Sequence, residues 1–233
     1  MYKRIGAIGA VAVVALGLLG SRASAAVLGN LNIANTTGGG LTITSTSIDF
    51  LQPVGGGIGA IGSGAGTSVG YTTGTLSSGS TGTIKDIVAG FGTIADFMTF
   101  ASDPNLHFDL TSMGPGVANT SAVNVLDPNT PPSSPAVGSP FVLQSTFTGT
   151  TLTFVVTGIA RDLSTPDSAW TGVFTTQLAG VTPFQVQQAL LDAGSFTSTY
   201  SASINASGAV PEPASIALLL AGVLPLVRTR RRG

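Results

Sequence analysis

Pro140 to Asp162 reads PFVLQSTFTGTTLTFVVTGIARD, and its alternation decides the fold class. Leu152, Phe154 and Val156 fall two apart with Thr153 and Val155 between them, the period of a strand with one buried face. Gly149 and Thr150 divide VLQSTFT from TLTFVVTGIA, which predicts a tight hairpin. The same mixture of β-branched and aromatic residues in short alternating runs recurs in LNIAN (31–35), GLTITSTSIDFL (40–51), TGTIKDIVAG (81–90) and LHFDLTSM (106–113). It returns in AWTGVFTTQLAG (169–180) and SFTSTYSASINA (195–206). The expectation is an all-β domain, an antiparallel β-sandwich or meander.

One segment departs from this pattern. In TPFQVQQALLDAG, Thr182 can cap a helix, Pro183 suits its first position and Gln185 completes a capping box. Val186, Ala189, Leu190 and Ala193 recur at helical spacing and Gly194 offers a left-handed stop, so one short helix is expected near 182–193, packed on the sheet. Two stretches read as surface loops: 55–82, with eleven glycines in twenty-eight residues, and 113–140, with six prolines. Loops of that length are uncommon inside a compact domain, so partial disorder or a division into two β lobes, with the boundary in 113–140, is an open alternative. No repeat of fixed period is present, which argues against a solenoid.

Charge is segregated along the chain. Between Ala26 and Val210 nine aspartates face only Lys85 and Arg161, a balance of −7. A nucleic-acid partner would require the opposite sign. Cysteine is absent, so neither a disulfide nor a thiolate site is available.

The remaining cations flank the two ends. Lys3 and Arg4 precede sixteen apolar or glycine residues, Ile5 to Gly20, and Ala23-Ser24-Ala25 then forms the small-residue pattern that signal peptidase accepts. A signal peptide over 1–25 with cleavage before Ala26 is expected, and a secreted β-rich domain over 26–209 follows it. At the other end Pro211-Glu212-Pro213 makes an extended break, because each proline fixes φ and removes a donor. Ala214 to Val227 is then fourteen uncharged residues, about 21 Å as a helix, against a hydrocarbon core of about 30 Å. Counting from Val210 gives roughly 27 Å, and arginine side chains can snorkel across the difference. A single transmembrane helix over 214–227 is expected, with Arg228, Arg230, Arg231 and Arg232 holding its end on the cytoplasmic side.

The combination of Pro211-Glu212-Pro213, a short apolar segment, terminal arginines and a signal peptide resembles the PEP-CTERM sorting signal of Gram-negative bacteria. The same tail is also catalogued as an ice-binding protein C-terminal motif. The resemblance covers about 23 residues, 210–233 at its widest, and implies an address rather than an activity. It implies an inner-membrane-anchored precursor with a periplasmic body, handled by signal peptidase and then by an exosortase that removes the tail. The product would lie on the outer surface or in the extracellular matrix, associated with exopolysaccharide.

Motifs that suggest chemistry are weakly supported. Gly57, Gly59 and Gly62 match the spacing of a dinucleotide loop, but no helix follows to hold phosphate charge. Gly66-Thr67-Ser68-Val69-Gly70 fits a nucleophile elbow, with Asp96 and His107 after it in hydrolase order, yet the chain lacks the crossover helices of such a fold. Asp103, Asn105, His107 and Asp109 alternate as a metal row might, while Leu106, Phe108 and Leu110 explain the same spacing as a strand with one buried face. Thr42, Thr44 and Thr46 alternate as a water-ordering face would, without further aligned rows in view. Trp170, Tyr71 and Tyr200 can stack on sugars, but Trp170 falls within an alternating strand and is expected inside.

With one His, no Cys and one Glu, convergent catalytic groups are missing. The expectation is an exported, non-enzymatic protein without cofactor. A carbohydrate-binding module, or a glycosidase using an aspartate pair about 5 to 9 Å apart, is the alternative.

Overall fold

A computed structural model describes residues 26–52, 59–162 and 167–208. The chain forms fifteen strands and one helix among the described residues, and the unit Ala25–Gly208 is compact by itself. The signal-peptide residues 1–25, the tail 210–233 and the expected transmembrane helix 214–227 lie outside the described residues. No helix among the described residues is long and apolar enough to cross a membrane.

Eight strands close into an antiparallel barrel. They follow one another around it in chain order: β1 (Leu28–Asn35), β4 (Gly59–Ser63), β7 (Thr81–Ile84), β9 (Ile94–Phe100), β10 (Asp103–Met113), β12 (Gly149–Asp162), β13 (Ser168–Ala179) and β15 (Tyr200–Ser207). The seam is β1 against β15, with Gly29 opposite Ala206 and Ile33 opposite Ala202. The expected meander is therefore present, but its outer strands zip together into a barrel instead of folding into the two layers of a sandwich. Closure removes the exposed edges that an open sheet of this size would carry.

A second sheet has the order β14-β2-β3-β8, built from β2 (Gly40–Ile43), β3 (Ser47–Leu51), β8 (Ile87–Val88) and β14 (Phe196–Ser198). Its Phe50 reaches the barrel aromatics, 5.2 Å from the Tyr200 ring and 5.8 Å from that of Phe174. Inside, Phe154 stacks on Phe174 at 5.0 Å and Trp170 on Phe97 at 6.3 Å, with Phe108 edge-on to the indole. An eight-stranded barrel has room for little more than its own side chains, and here rings supply them.

Of the region 55–82, expected as a loop, the described residues 59–82 are largely strand. β4 and β5 (Ser68–Tyr71) run along β1 in turn, and β6 (Gly74–Ser77) and β7 return beside them, so the glycine-rich stretch is a long interrupted hairpin. Each piece buries few large side chains, such as Ile61, Val69 and Leu76. The stretch 113–140 does lack strands, yet it is well anchored: Gln187 donates to the carbonyls of Thr120 and Pro135, and the buried Ser134 hydroxyl donates to Phe141. The strands on either side of it, β10 and β11 (Val142–Ser145), both pair with β12.

Two local expectations shift. The hairpin turn falls at 146–148, three residues before the expected position, with the Thr146 hydroxyl donating to the Gly149 carbonyl. Gly149 is needed for close approach, since a Cβ there would lie 2.1 Å from the Leu178 carbonyl oxygen. The helix, α1 (Pro183–Leu191), has the expected Thr182 cap and capping box. Its left-handed residue, however, is Ala193 at φ 58°, while the Gly194 N–H donates back to Ala189.

Candidate functional site

Charge among the described residues concentrates on the barrel wall at β9, β10 and β12. The alternation of β10 buries Leu106, Phe108 and Leu110 and turns Asp103, Asn105, His107 and Asp109 the other way, as the strand reading requires. Cross-strand pairing sets Arg161 of β12 opposite His107. The guanidinium donates from Nε to Asp109 Oδ2 at 2.6 Å and from Nη2 to Asp109 Oδ1 at 2.9 Å and Asp96 Oδ1 at 2.7 Å.

Asp96 occupies an irregular part of β9, where three residues face one on β10, and takes a left-handed φ of 52°. That conformation costs roughly 1 kcal/mol for a residue with a Cβ, and the bonds around it hold it. Its N–H donates to Asp109 Oδ1 at 2.7 Å, and its carboxylate meets Arg161 and lies 2.8 Å from His107 Nδ1. The His107–Asp96 contact lacks aligned hydrogen-bond geometry.

Electrostatically the cluster is spent on itself. Burial opposes ionisation of Asp109, but the hydrogen bonds from Arg161 and the Asp96 backbone, with the nearby positive charge, outweigh it and hold the carboxyl below its ordinary value. The hydrogen bonds and charges of Asp109 and Asp96 hold Arg161 more firmly protonated against the cost of burial. A carboxyl held ionised is a poor general acid, and a guanidinium that gives three hydrogen bonds to two carboxylates has its charge already matched against an excess of negative charge.

At the barrel end where β10 begins, the Tyr71 hydroxyl donates to Asp103, which also accepts from Ser102. Burial first and the Asp103 contact second raise the Tyr71 phenol well above its ordinary range. The Thr73 N–H donates to Asp162 at 3.2 Å. These bonds fasten the β5–β6 tip across the barrel mouth.

The other motifs are dispersed. Asp96 and His107 meet, but Ser68 lies on β5 paired with Asn30 of β1, not at an elbow between strand and helix. Gly59 and Gly62 sit within β4, with no helix after it, and Gly57 is outside the described residues. No group of three or more His, Cys, Asp or Glu able to hold a metal occurs among the described residues. Thr42 bonds Thr197 across strands while Thr44 bonds Ser47 in a turn, so these threonines form no row. Trp170 is 1% exposed, its indole donating to the Asp109 carbonyl at 3.0 Å.

Of the processing residues, Ala26 is described: it is buried and packs against Gly208, where a Cβ would fall 2.2 Å from its own. Ala23, Ala25, Pro211, Glu212, Pro213, Arg228, Arg230, Arg231 and Arg232 lie outside the described residues. The Asp96–Arg161 contact was not legible beforehand, because it joins residues on different strands through a backbone irregularity. No protein-family model matches the chain, and neither the curated proteins nor the solved structures supply a match.

Proposed function

We propose that this chain is an exported, non-enzymatic surface or extracellular-matrix protein, cleaved before Ala26 by signal peptidase and sorted through its Pro211-Glu212-Pro213 tail by an exosortase-type system. The observation that carries the reading is one of boundaries. The compact unit runs from Ala25 to Gly208, so it starts one residue before the expected cleavage point and stops two residues, Ala209 and Val210, short of Pro211. Both expected processing sites then fall at the borders of the folded body, where chain cleavage is tolerated best. The non-enzymatic part of the reading draws support from the Asp96–Arg161–Asp109 network, whose carboxylates are committed to one guanidinium, and from a barrel interior occupied by stacked rings.

The test is to express the chain in its own cell with and without residues 211–233 and compare locations by surface labelling. The full chain is expected at the surface or in the matrix, and the truncated one is expected to be absent from it. Equal surface labelling of both would contradict the sorting role.

A further inference from the structure

We infer that the surface around α1 is a contact face for a second copy of this chain. The inference goes beyond the sorting role and does not depend on it.

The face is marked by what it leaves in water. Nine large apolar side chains are exposed among the described residues, and five of them, Val125, Val137, Phe147, Phe184 and Leu191, lie around α1. Hydrogen bonds tie their segments together. The Phe184 N–H donates to the Val123 carbonyl at 3.1 Å and the Thr182 hydroxyl to Asn124 at 2.8 Å, which sets the strip 123–127 beside the start of the helix. The same strip is held to the β11–β12 turn, because the Ser145 hydroxyl donates to the Val125 carbonyl at 2.8 Å and accepts the Asp127 N–H. Phe147 is in that turn, and the next carbonyl, Thr148, accepts the Gly180 N–H just ahead of the helix. On the other flank Gln187 bonds the Pro135 carbonyl, two residues from Val137.

The fold itself has no use for these side chains. Val186, Gln187 and Leu190 are the buried side of α1, whereas Phe184 and Leu191, seven apart, share its outer side with Gln188. A solvated helix face is ordinarily polar at such positions. Phe147 is 76% exposed in a turn that closes through the Thr146 hydroxyl and Gly149 without the ring.

Area and charge select the occupant. At exposures of 40–92% and roughly 150 Å² per large side chain, the five residues offer on the order of 450 Å² of apolar surface. A standard interface takes about 800 Å² from each partner, so a homodimer face about 65% apolar needs roughly 520 Å². The two figures agree, and the two phenylalanines supply the aromatic anchors around which such faces form. From Ser112 to Ala160 the only charged residue is Asp127, and from Ser168 to Ser207 it is Asp192. Asp127 is turned to its own loop, where Oδ1 accepts from the N–H and the side-chain amide of Asn129. The face therefore offers no cation to an anionic lipid and too little negative charge to select a basic protein. A two-fold contact requires only that the apolar patch meet itself.

The experiment uses the full-length chain in mild detergent, followed by sedimentation velocity across a micromolar range. A reversible dimer is expected, with a Kd on the order of 10 μM that added salt leaves unchanged or tightens. Phe147→Asp and Phe184→Asp, both at exposed positions, are expected to raise that Kd about thirtyfold or more. Val173→Asp, at an exposed apolar position on the barrel wall, is the control and is expected to dimerise as the unaltered chain does. The absence of cysteine allows a second readout. Gln188→Cys, between Phe184 and Leu191, should give a disulfide-linked dimer on oxidation, and Phe147→Asp added to it should abolish the link. A chain that stays monomeric and unlinked throughout overturns the proposal and leaves the face to a lipid surface or an unrelated protein. A dimer that survives both aspartate substitutions overturns it as well, since the contact then lies elsewhere. Either result leaves the sorting role standing, and a failure of sorting leaves the dimer to be found.

Discussion

Gly158 and Trp170 face each other across the β12–β13 ladder, and a Cβ on the glycine would lie 2.5 Å from the indole nitrogen and 1.9 Å from the Asp109 carbonyl oxygen. That carbonyl accepts the indole N–H, so this one contact joins three strands, β10, β12 and β13. Gly158→Ala is expected to cost about 3 kcal/mol, because neither the ladder nor the ring stack can yield. The sole tryptophan supplies the readout: emission of the folded protein should shift to the red, with a lower Tm. An unchanged spectrum and midpoint would show that the barrel wall is looser than described.

Removal of Arg161 leaves two carboxylates side by side. Arg161→Gln is expected to destabilise by roughly 1–2 kcal/mol at neutral pH, between the values of exposed and buried pairs, since Asp109 is 15% exposed and Asp96 42%. The pH dependence has a definite sign. The Asp109 carboxyl is held below its ordinary value, so its contribution is complete above about pH 3.9 and is lost as pH falls through the lower folded value. The gap in Tm between protein and variant should therefore be widest near neutrality and close in strong acid. A gap that widens on acidification would refute the assignment.

At the end of α1, Ala193 holds the left-handed position that glycine would take without penalty. Ala193→Gly is expected to stabilise by about 0.5–1 kcal/mol, seen as a raised denaturation midpoint. Gly194→Ala should do the reverse, as its Cβ would sit 2.7 Å from the Ala189 carbonyl oxygen.

These sites also mark where the sequence was readable. β12, β13 and β15 announce themselves because period-2 burial persists for eight or more residues. β9 was passed over: the irregularity at Asp96 places Phe97 and Met98 in the core consecutively and breaks the alternation. β4, β5 and β6 hide for another reason, since Gly, Ser and Thr dominate them and the loop they resemble has the same composition. Barrel closure has no local signature at all, because it depends on β1 meeting β15 from the far end of the body. The polar row of β10 was visible from spacing, whereas its partner Arg161, about fifty residues away, became apparent only through strand pairing.

The most direct test of the central claim, that both termini are addresses removed from an inert barrel, is the intact mass of the protein extracted from the cell envelope or matrix. The account predicts a species lacking residues 1–25 and the segment beyond Pro213. A mature species that still carries Arg230, Arg231 and Arg232, or one that retains Lys3 and Arg4, would contradict it.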